Sequence, residues 1–166
     1  MVGLVLLPGL LLVSVGSKKA DLNKGLTAAR AGDFAGAHAA WLPLARQGSA
    51  EAQYRLGLLI VTVDGTQQNR LIVAQWYRQA AAQGHSGAQY KLGIMSFRGW
   101  GMPHDETKAA SYFLEAANKG HARAQYSLGT LYRIGRGVPK NLREAHYWFS
   151  RAKANGFVSP NKSARV

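Results

Sequence analysis

The 166-residue sequence has no cysteine, which removes disulfides, thiolate zinc sites and cysteine nucleophiles together and leaves packing as the source of stability. Acidic side chains are scarce: eight Asp and Glu stand against 21 Lys and Arg, a formal charge of +13. With only five prolines and no run of strict polar–apolar alternation, a β-sandwich is disfavoured; 19 glycines and abundant alanine point instead to short, tightly packed helices. The most apolar stretch, Met1 to Val15 (MVGLVLLPGLLLVSV), is too short for a comfortable transmembrane helix and is interrupted by Pro8-Gly9. Its length suits a signal-peptide core, and Ser14 and Gly16 supply a small-x-small pattern, although the Lys or Arg that normally precedes such a core is missing. The expectation is a signal peptide over 1–16 and export to the periplasm or beyond. A downstream start site or an uncleaved anchor explains the same pattern, and a non-functional signal implies a cytoplasmic chain.

Charge is unevenly placed. Residues 120–166 carry nine basic side chains against one acidic, a net +8, while 48–83 and 84–119 are each close to neutral at +1. A field of that sign attracts acidic proteins, anionic lipid, acidic glycans or nucleic acid, and also serves plain solubility.

What the chain does have is internal repetition. Three consecutive 36-residue units begin at Gly48, Gly84 and Gly120 without gaps, their openings reading GSAEAQYRLGLLI, GHSGAQYKLGIMS and GHARAQYSLGTLY. Each unit divides into two helices, A and B, by its apolar spacing. Helix A presents Ala52, Leu56, Gly57 and Leu59, then Ala88, Leu92, Gly93 and Met95, then Ala124, Leu128, Gly129 and Leu131. Helix B presents Val73, Trp76, Tyr77 and Ala80, then Ala109, Tyr112, Phe113 and Ala116, then Ala145, Trp148, Phe149 and Ala152. A mid-helix glycine costs about 1 kcal/mol relative to alanine, so the recurrence of Gly57, Gly93 and Gly129 predicts a neighbour too close for a β-carbon.

Punctuation supports these boundaries. Asn69, Asp105 and Asn141 share one column and are expected to cap the B helices, with Glu144 completing a capping box in the last unit. Gly84, Gly120 and Gly156 are expected just past the B helices in left-handed conformation, and Gly65, Gly101 and Gly137 in the A-to-B turns, joined by Pro103 and Pro139. Upstream, Ala20 to Ala31 and Phe34 to Gln47 read as a degenerate helix pair around Gly32-Asp33, with Trp41 and Leu44 on its apolar face. Residues 17–47 are therefore expected to form an N-terminal capping repeat, followed by repeats over 48–83, 84–119 and 120–155 and a loose tail over 157–166, with Phe157 tucked back onto the last helix.

The succession AQYxLGxxY, a glycine-valine-proline turn, A-x-x-W-F and A-x-x-x-G resembles the Sel-one-like repeat family, a branch of the tetratricopeptide-like solenoids. Gly135-Arg136-Gly137-Val138-Pro139-Lys140-Asn141 is the most specific stretch; Val63 and Gln67 depart from the pattern, which puts the first A-to-B turn in doubt. The resemblance is firm over 48–156 and weak over 20–47. It implies an all-α, right-handed α-solenoid of antiparallel helix pairs, about four of them, whose concave side is lined by A helices and binds proteins or peptides. It also implies a bacterial protein serving an envelope, signalling or virulence assembly. Members often carry a β-lactamase label, which no residue here supports.

If the fixed columns are core, the variable face of helix A is the candidate contact surface. Its positions are Glu51-Arg55-Leu58-Thr62, Gly87-Lys91-Ile94-Arg98 and Arg123-Ser127-Thr130-Ile134. Arg55, Lys91, Arg98 and Arg123, with Arg133 near the last A-helix end, are expected to form a basic and apolar groove for an acidic peptide or protein bound by a monomeric scaffold. An ordinary solvated face has the same composition. Binding of an anionic polymer is the alternative, through Arg133, Arg136, Lys140, Arg143, Arg151 and Lys153 near Tyr147, Trp148 and Phe149; specific nucleic-acid recognition is not expected. Catalysis is disfavoured, and neither cofactor nor metal is expected. His85 and His121 occupy equivalent columns, about 8–10 Å apart in a stack, too far to share an ion, and read as structural. His104 and His146 have no repeated partner. No nucleophile elbow or phosphate loop occurs.

Overall fold

A computed structural model describes residues 15–158. The proposed signal segment, apart from Val15 and Gly16, and the tail beyond Val158 lie outside the described residues. Those residues form eight helices and no strand: α1 (Val15–Arg30), α2 (Phe34–Arg46), α3 (Ala50–Val63), α4 (Gln67–Ala82), α5 (Ser86–Arg98), α6 (Glu106–Asn118), α7 (Ala122–Ile134) and α8 (Leu142–Ala154). Each helix packs on the one before and the one after it, giving an all-α solenoid of four helix pairs in which α3, α5 and α7 are the A helices of the three repeats. The upstream pair is α1 and α2, and α1 begins at Val15, five residues before the expected Ala20. The candidate cleavage position after Gly16 therefore falls inside the first turn of a helix.

The periodic faces are the core. Leu56, Leu92 and Leu128 are at most 1 % exposed, and each such burial stabilises by about 1.5–3 kcal/mol. Around them close Ala52, Ala88 and Ala124 from the A helices and Tyr77, Phe113 and Trp148 from the B helices. Trp76 and Tyr112, also expected in the core, are only half-buried. The recurring glycines have the predicted cause. A β-carbon on Gly57, Gly93 or Gly129 would come under 3.0 Å from the ring of Tyr77, Phe113 or Phe149, the aromatic that each B helix lays across its own A helix.

The exits of the B helices follow the expected chemistry. Gly84, Gly120 and Gly156 have φ of 85°, 81° and 82°. At Gly84 the amides of Gly84 and His85 return to the carbonyls of Ala81 and Ala80, and the same pair of bonds recurs at the other two glycines. The entries differ in part. Asp105 Oδ1 accepts from the Lys108 amide at 2.8 Å, and Asn141 Oδ1 from Arg143 and Glu144 at 3.0 and 3.2 Å. Asn69, however, is not a cap: α4 opens three residues earlier, on Thr66, and Asn69 sits in its first turn, donating to Asp64. Two substitutions accompany the shift. Gln67 stands where Pro103 and Pro139 precede the Asp105 and Asn141 caps by two residues, and Val63 replaces Gly99 and Gly135, whose φ of 67° and 73° bend the chain out of α5 and α7. The capping box also fails to close, because the Asn141 amide donates to the Tyr132 carbonyl instead of to Glu144.

Candidate interaction surface

The equivalent histidines begin the A helices. Nδ1 of His85 accepts from the Ala88 amide at 3.1 Å and Nδ1 of His121 from Ala124 at 3.2 Å, the role that Ser49 fills in α3. An accepting Nδ1 places the proton on Nε2, and at His85 this Nε2 lies 2.9 Å from Glu51 Oε2. Their rings stack on the preceding repeat, Tyr54 with His85 at 4.4 Å and Tyr90 with His121 at 4.6 Å, and Phe157 occupies the same place against Tyr126 at 4.5 Å. Phe157 is thus folded back, onto α7. Burial holds His121 below the ordinary histidine range, and the nearby Arg123, His85 and Lys91 push the same way. Among the described residues no group of three or more His, Asp or Glu is placed to hold a metal.

On the other face of the A helices the variable columns line three clefts in succession. A cleft of about 150 Å³ between the upstream pair and α3 is bordered by Trp41, Arg55, Leu58 and Thr62. The next, about 510 Å³, lies between α3 and α5 and is bordered by Leu58, Thr62, Lys91, Ile94 and Arg98. A third, about 320 Å³, is bordered by Ile94, Phe97, Arg98, Ser127 and Thr130. Leu58 and Thr62, then Ile94 and Arg98, belong to two clefts each, so the surface is continuous along the stack.

The five predicted basic residues fare differently within it. Arg55 is committed internally, 2.5 Å from Glu51 and over the Trp41 ring at 5.8 Å. Lys91 and Arg98 line the clefts and form no ion pair among the described residues. Burial lowers the Lys91 pKa, with a further push from Arg123. Arg123 is exposed and near Lys91 but borders none of the three clefts; Arg133 is exposed and lies over Phe149 at 5.9 Å. The basic C-terminal third is likewise divided. Arg136 is bound to Glu106, whereas Lys140, Arg143, Arg151 and Lys153 are exposed. Of the aromatics there, Trp148 is buried, Phe149 half-buried and Tyr147 exposed with its hydroxyl accepting from Arg151.

The Sel1 repeat model matches residues 50–85, 86–121 and 122–157, one helix pair to each match. The chain belongs to the Sel1 repeat family. Solved Sel1-type structures superpose on it closely. A Sel1 repeat protein from Oxalobacter formigenes has a TM-score of 0.76 at 31% identity, covering 84% of this chain and 57% of its own. The protein c5321, a protective antigen present in uropathogenic Escherichia coli strains, has a TM-score of 0.79 at 32% identity over 86% of this chain and 31% of its own. This Sel1 repeat protein thus spans little more than half of the first and a third of the second. Helicobacter pylori cysteine rich protein B shares the fold alone, with a TM-score of 0.56 at 19% identity over 88% of this chain and 94% of its own. No curated protein matches. Membership of the family makes a protein–protein interaction scaffold the general expectation for this chain. Among the described residues no helix is long and apolar enough to cross a membrane.

Two groups of residues in this Sel1 repeat chain escaped the sequence reading. The glutamines of the AQY motif are buried rather than variable: Gln53 donates to the Ala45 carbonyl at 3.1 Å and Gln125 to Ala117 at 2.9 Å, while Gln83 and Asn155 donate to their oxygens. Their recurrence in all three repeats was the signal. Arg70 and Trp100, which flank the largest of these clefts, carry no repeat and left none.

Proposed function

We propose that this chain is a non-catalytic, monomeric adaptor whose A-helix face, the concave side of the solenoid, binds an acidic peptide or protein segment. The observation that carries the proposal is the row of three adjoining clefts, in which apolar side chains alternate with the unpaired cations Lys91 and Arg98. A surface of that kind desolvates apolar side chains and selects for negative charge at once. Export to the cell envelope accords with the apolar segment Met1 to Val15 and with likeness to a protective antigen.

The test is affinity capture from envelope extract by the full chain and by a Lys91→Glu, Arg123→Glu variant of unchanged helix content. A protein retained by the parent, released by the variant, and bound again when purified supports the face. Equal retention by both removes it. The exposed cluster Lys140, Arg143, Arg151 and Lys153 on and before α8 favours a second reading, binding of an anionic polymer such as envelope glycan or lipid. Such binding would ignore Lys91 and fall log-linearly with salt.

A further inference from the structure

The junction between the first two repeats differs from the next one at several columns, three of which lie around Trp100. At the second junction these hold Glu106, Ile134 and Arg136, and Arg136 Nε donates to Glu106 Oε1 at 2.9 Å, so the charges of this pair cancel, while Arg98 borders the cleft there as well. At the first junction the same columns hold Arg70, Arg98 and Trp100. The glycine approach is alike in both, although α4 opens three residues earlier than α6: a β-carbon on Gly101 would strike the Arg70 carbonyl, and one on Gly137 the Glu106 carbonyl. At these three columns residue exchange replaces the Glu106–Arg136 ion pair with two arginines and a tryptophan.

Two guanidiniums lie over the Trp100 ring, Arg98 at 4.4 Å and Arg70 at 4.8 Å from its centroid. Stacking of this kind orients the cations without neutralising them. Lys91 borders the same cleft of about 510 Å³, whose apolar wall includes Leu58, Ile94 and Met95. None of the three cations has an acidic partner among the described residues, because the acids of the surrounding elements are engaged elsewhere. Glu51 is held by Arg55 and His85, Asp64 by Asn69 and the Thr66 amide, Glu106 by Arg136 and Glu115 by Gln89. Burial lowers the Lys91 pKa, and Arg123, a cation outside this cleft, adds to the shift.

We propose that this cleft is an anchoring subsite for a peptide carboxylate with an apolar neighbour, the carboxylate meeting Arg70 and Arg98 beside Trp100 and the apolar side chain resting on Leu58, Ile94 and Met95. The proposal rests on the reading of the A-helix face as a peptide-binding surface and names the chemistry that surface selects. Charge complementarity argues for the carboxylate, and the apolar wall for a peptide over a bare anion. The carboxylate belongs either to an Asp or Glu side chain or to a chain end.

The test uses the full chain and fluorescent peptides of about ten residues that carry an acidic–apolar pair in a Gly-Ser background, each as C-terminal amide and as free acid. Matched peptides carry Asn or Gln in place of Asp or Glu. The key variant combines Arg70→Glu, Arg98→Ile and Trp100→Arg, which transfers the residues of the second junction to the first and so keeps a pairing this fold already accommodates. Acidic peptides are expected to bind the parent and to lose at least about tenfold in affinity on the variant, the worth of one charge-assisted contact. Retention by the amides assigns the side-chain source; binding by free acids alone assigns the chain end. Equal binding of the Asn and Gln peptides, or unchanged affinity on the variant, overturns the subsite. Should the triple variant not fold, Arg70→Gln with Arg98→Gln gives the same readout. If acidic peptides bind and only the Lys91→Glu, Arg123→Glu pair abolishes it, the subsite falls while the wider face stands; if no peptide binds the parent, both fall.

Discussion

Replacing Gly93 by alanine sets two effects of opposite sign against each other. In the interior of α5 alanine is favoured over glycine by about 1 kcal/mol, so helix propensity alone predicts a more stable protein. The structure predicts the reverse. The new β-carbon would sit under 3.0 Å from the ring of Phe113, which is 4 % exposed and packed with Leu128 and Trp148, so it has no space to retreat into. Overpacking of a filled core costs about 1–3 kcal/mol, which leaves a net loss of up to about 2 kcal/mol after the propensity gain. Phe113→Leu supplies the control: it destabilises by itself, yet once the ring is gone alanine at 93 recovers its propensity advantage. The two substitutions should therefore couple favourably by about 1–3 kcal/mol in a double-mutant cycle. Urea titration of the full chain by far-UV circular dichroism reads the midpoints, and a constant slope checks that the repeats still unfold together. A raised midpoint for Gly93→Ala, or strict additivity in the cycle, would refute the close-approach account of the three repeated glycines.

Capping gives a second expectation: Asp105→Ala and Thr66→Ala should each cost about 1 kcal/mol in urea melts, whereas Asn69→Ala, which removes only bonds to Asp64, should cost less. The His121 pKa is lowered by folding, so the unfolded chain takes the proton first. Its contribution to stability is complete above the unfolded value of about 6.5 and is lost as pH falls through the depressed folded value. His121→Ser, which copies the Ser49 cap, should weaken the acid dependence of the urea midpoint, and an unchanged dependence would contradict the assignment. Gln125→Leu should lower stability by about 1 kcal/mol, because it removes the bonds to the Ala117 carbonyl and from the Asn155 amide, although that carbonyl keeps the Gly120 amide and Asn155 is exposed.

Repetition made most of the fold legible, since each apolar column could be checked against two others at a fixed offset of 36 residues. Leu56, Leu92 and Leu128 were readable for that reason, and so were the left-handed glycines ending the B helices. The entry of α4 was not. There the column rule placed the cap on Asn69, while local chemistry had already changed: Val63 stands where Gly99 and Gly135 turn the chain out of α5 and α7, and Thr66 supplies a cap for α4. Departures at Val63 and Gln67 were visible in the sequence, but their consequence depends on where the chain leaves α3. The candidate face was half legible. Spacing along a helix put Lys91 and Arg98 on one face, and both line the clefts; the Glu51–Arg55 pair, four residues apart on α3, was open to sequence as well, whereas the placing of Arg98 over Trp100 depends on the turn out of α5.

The same repetition supplies an internal control that single-copy folds lack. When two junctions share a backbone, a residue present at one and absent at the other is not required by the architecture. Glu106 with Arg136 shows that these columns can hold an ion pair, whereas Arg70, Arg98 and Trp100 leave them without one among the described residues. A half-buried cation costs folding free energy, and burial together with the nearby Arg123 lowers the Lys91 pKa. Such a cost is offset when an anion arrives from outside the chain, and the cleft between α3 and α5 is where this solenoid is incomplete without one.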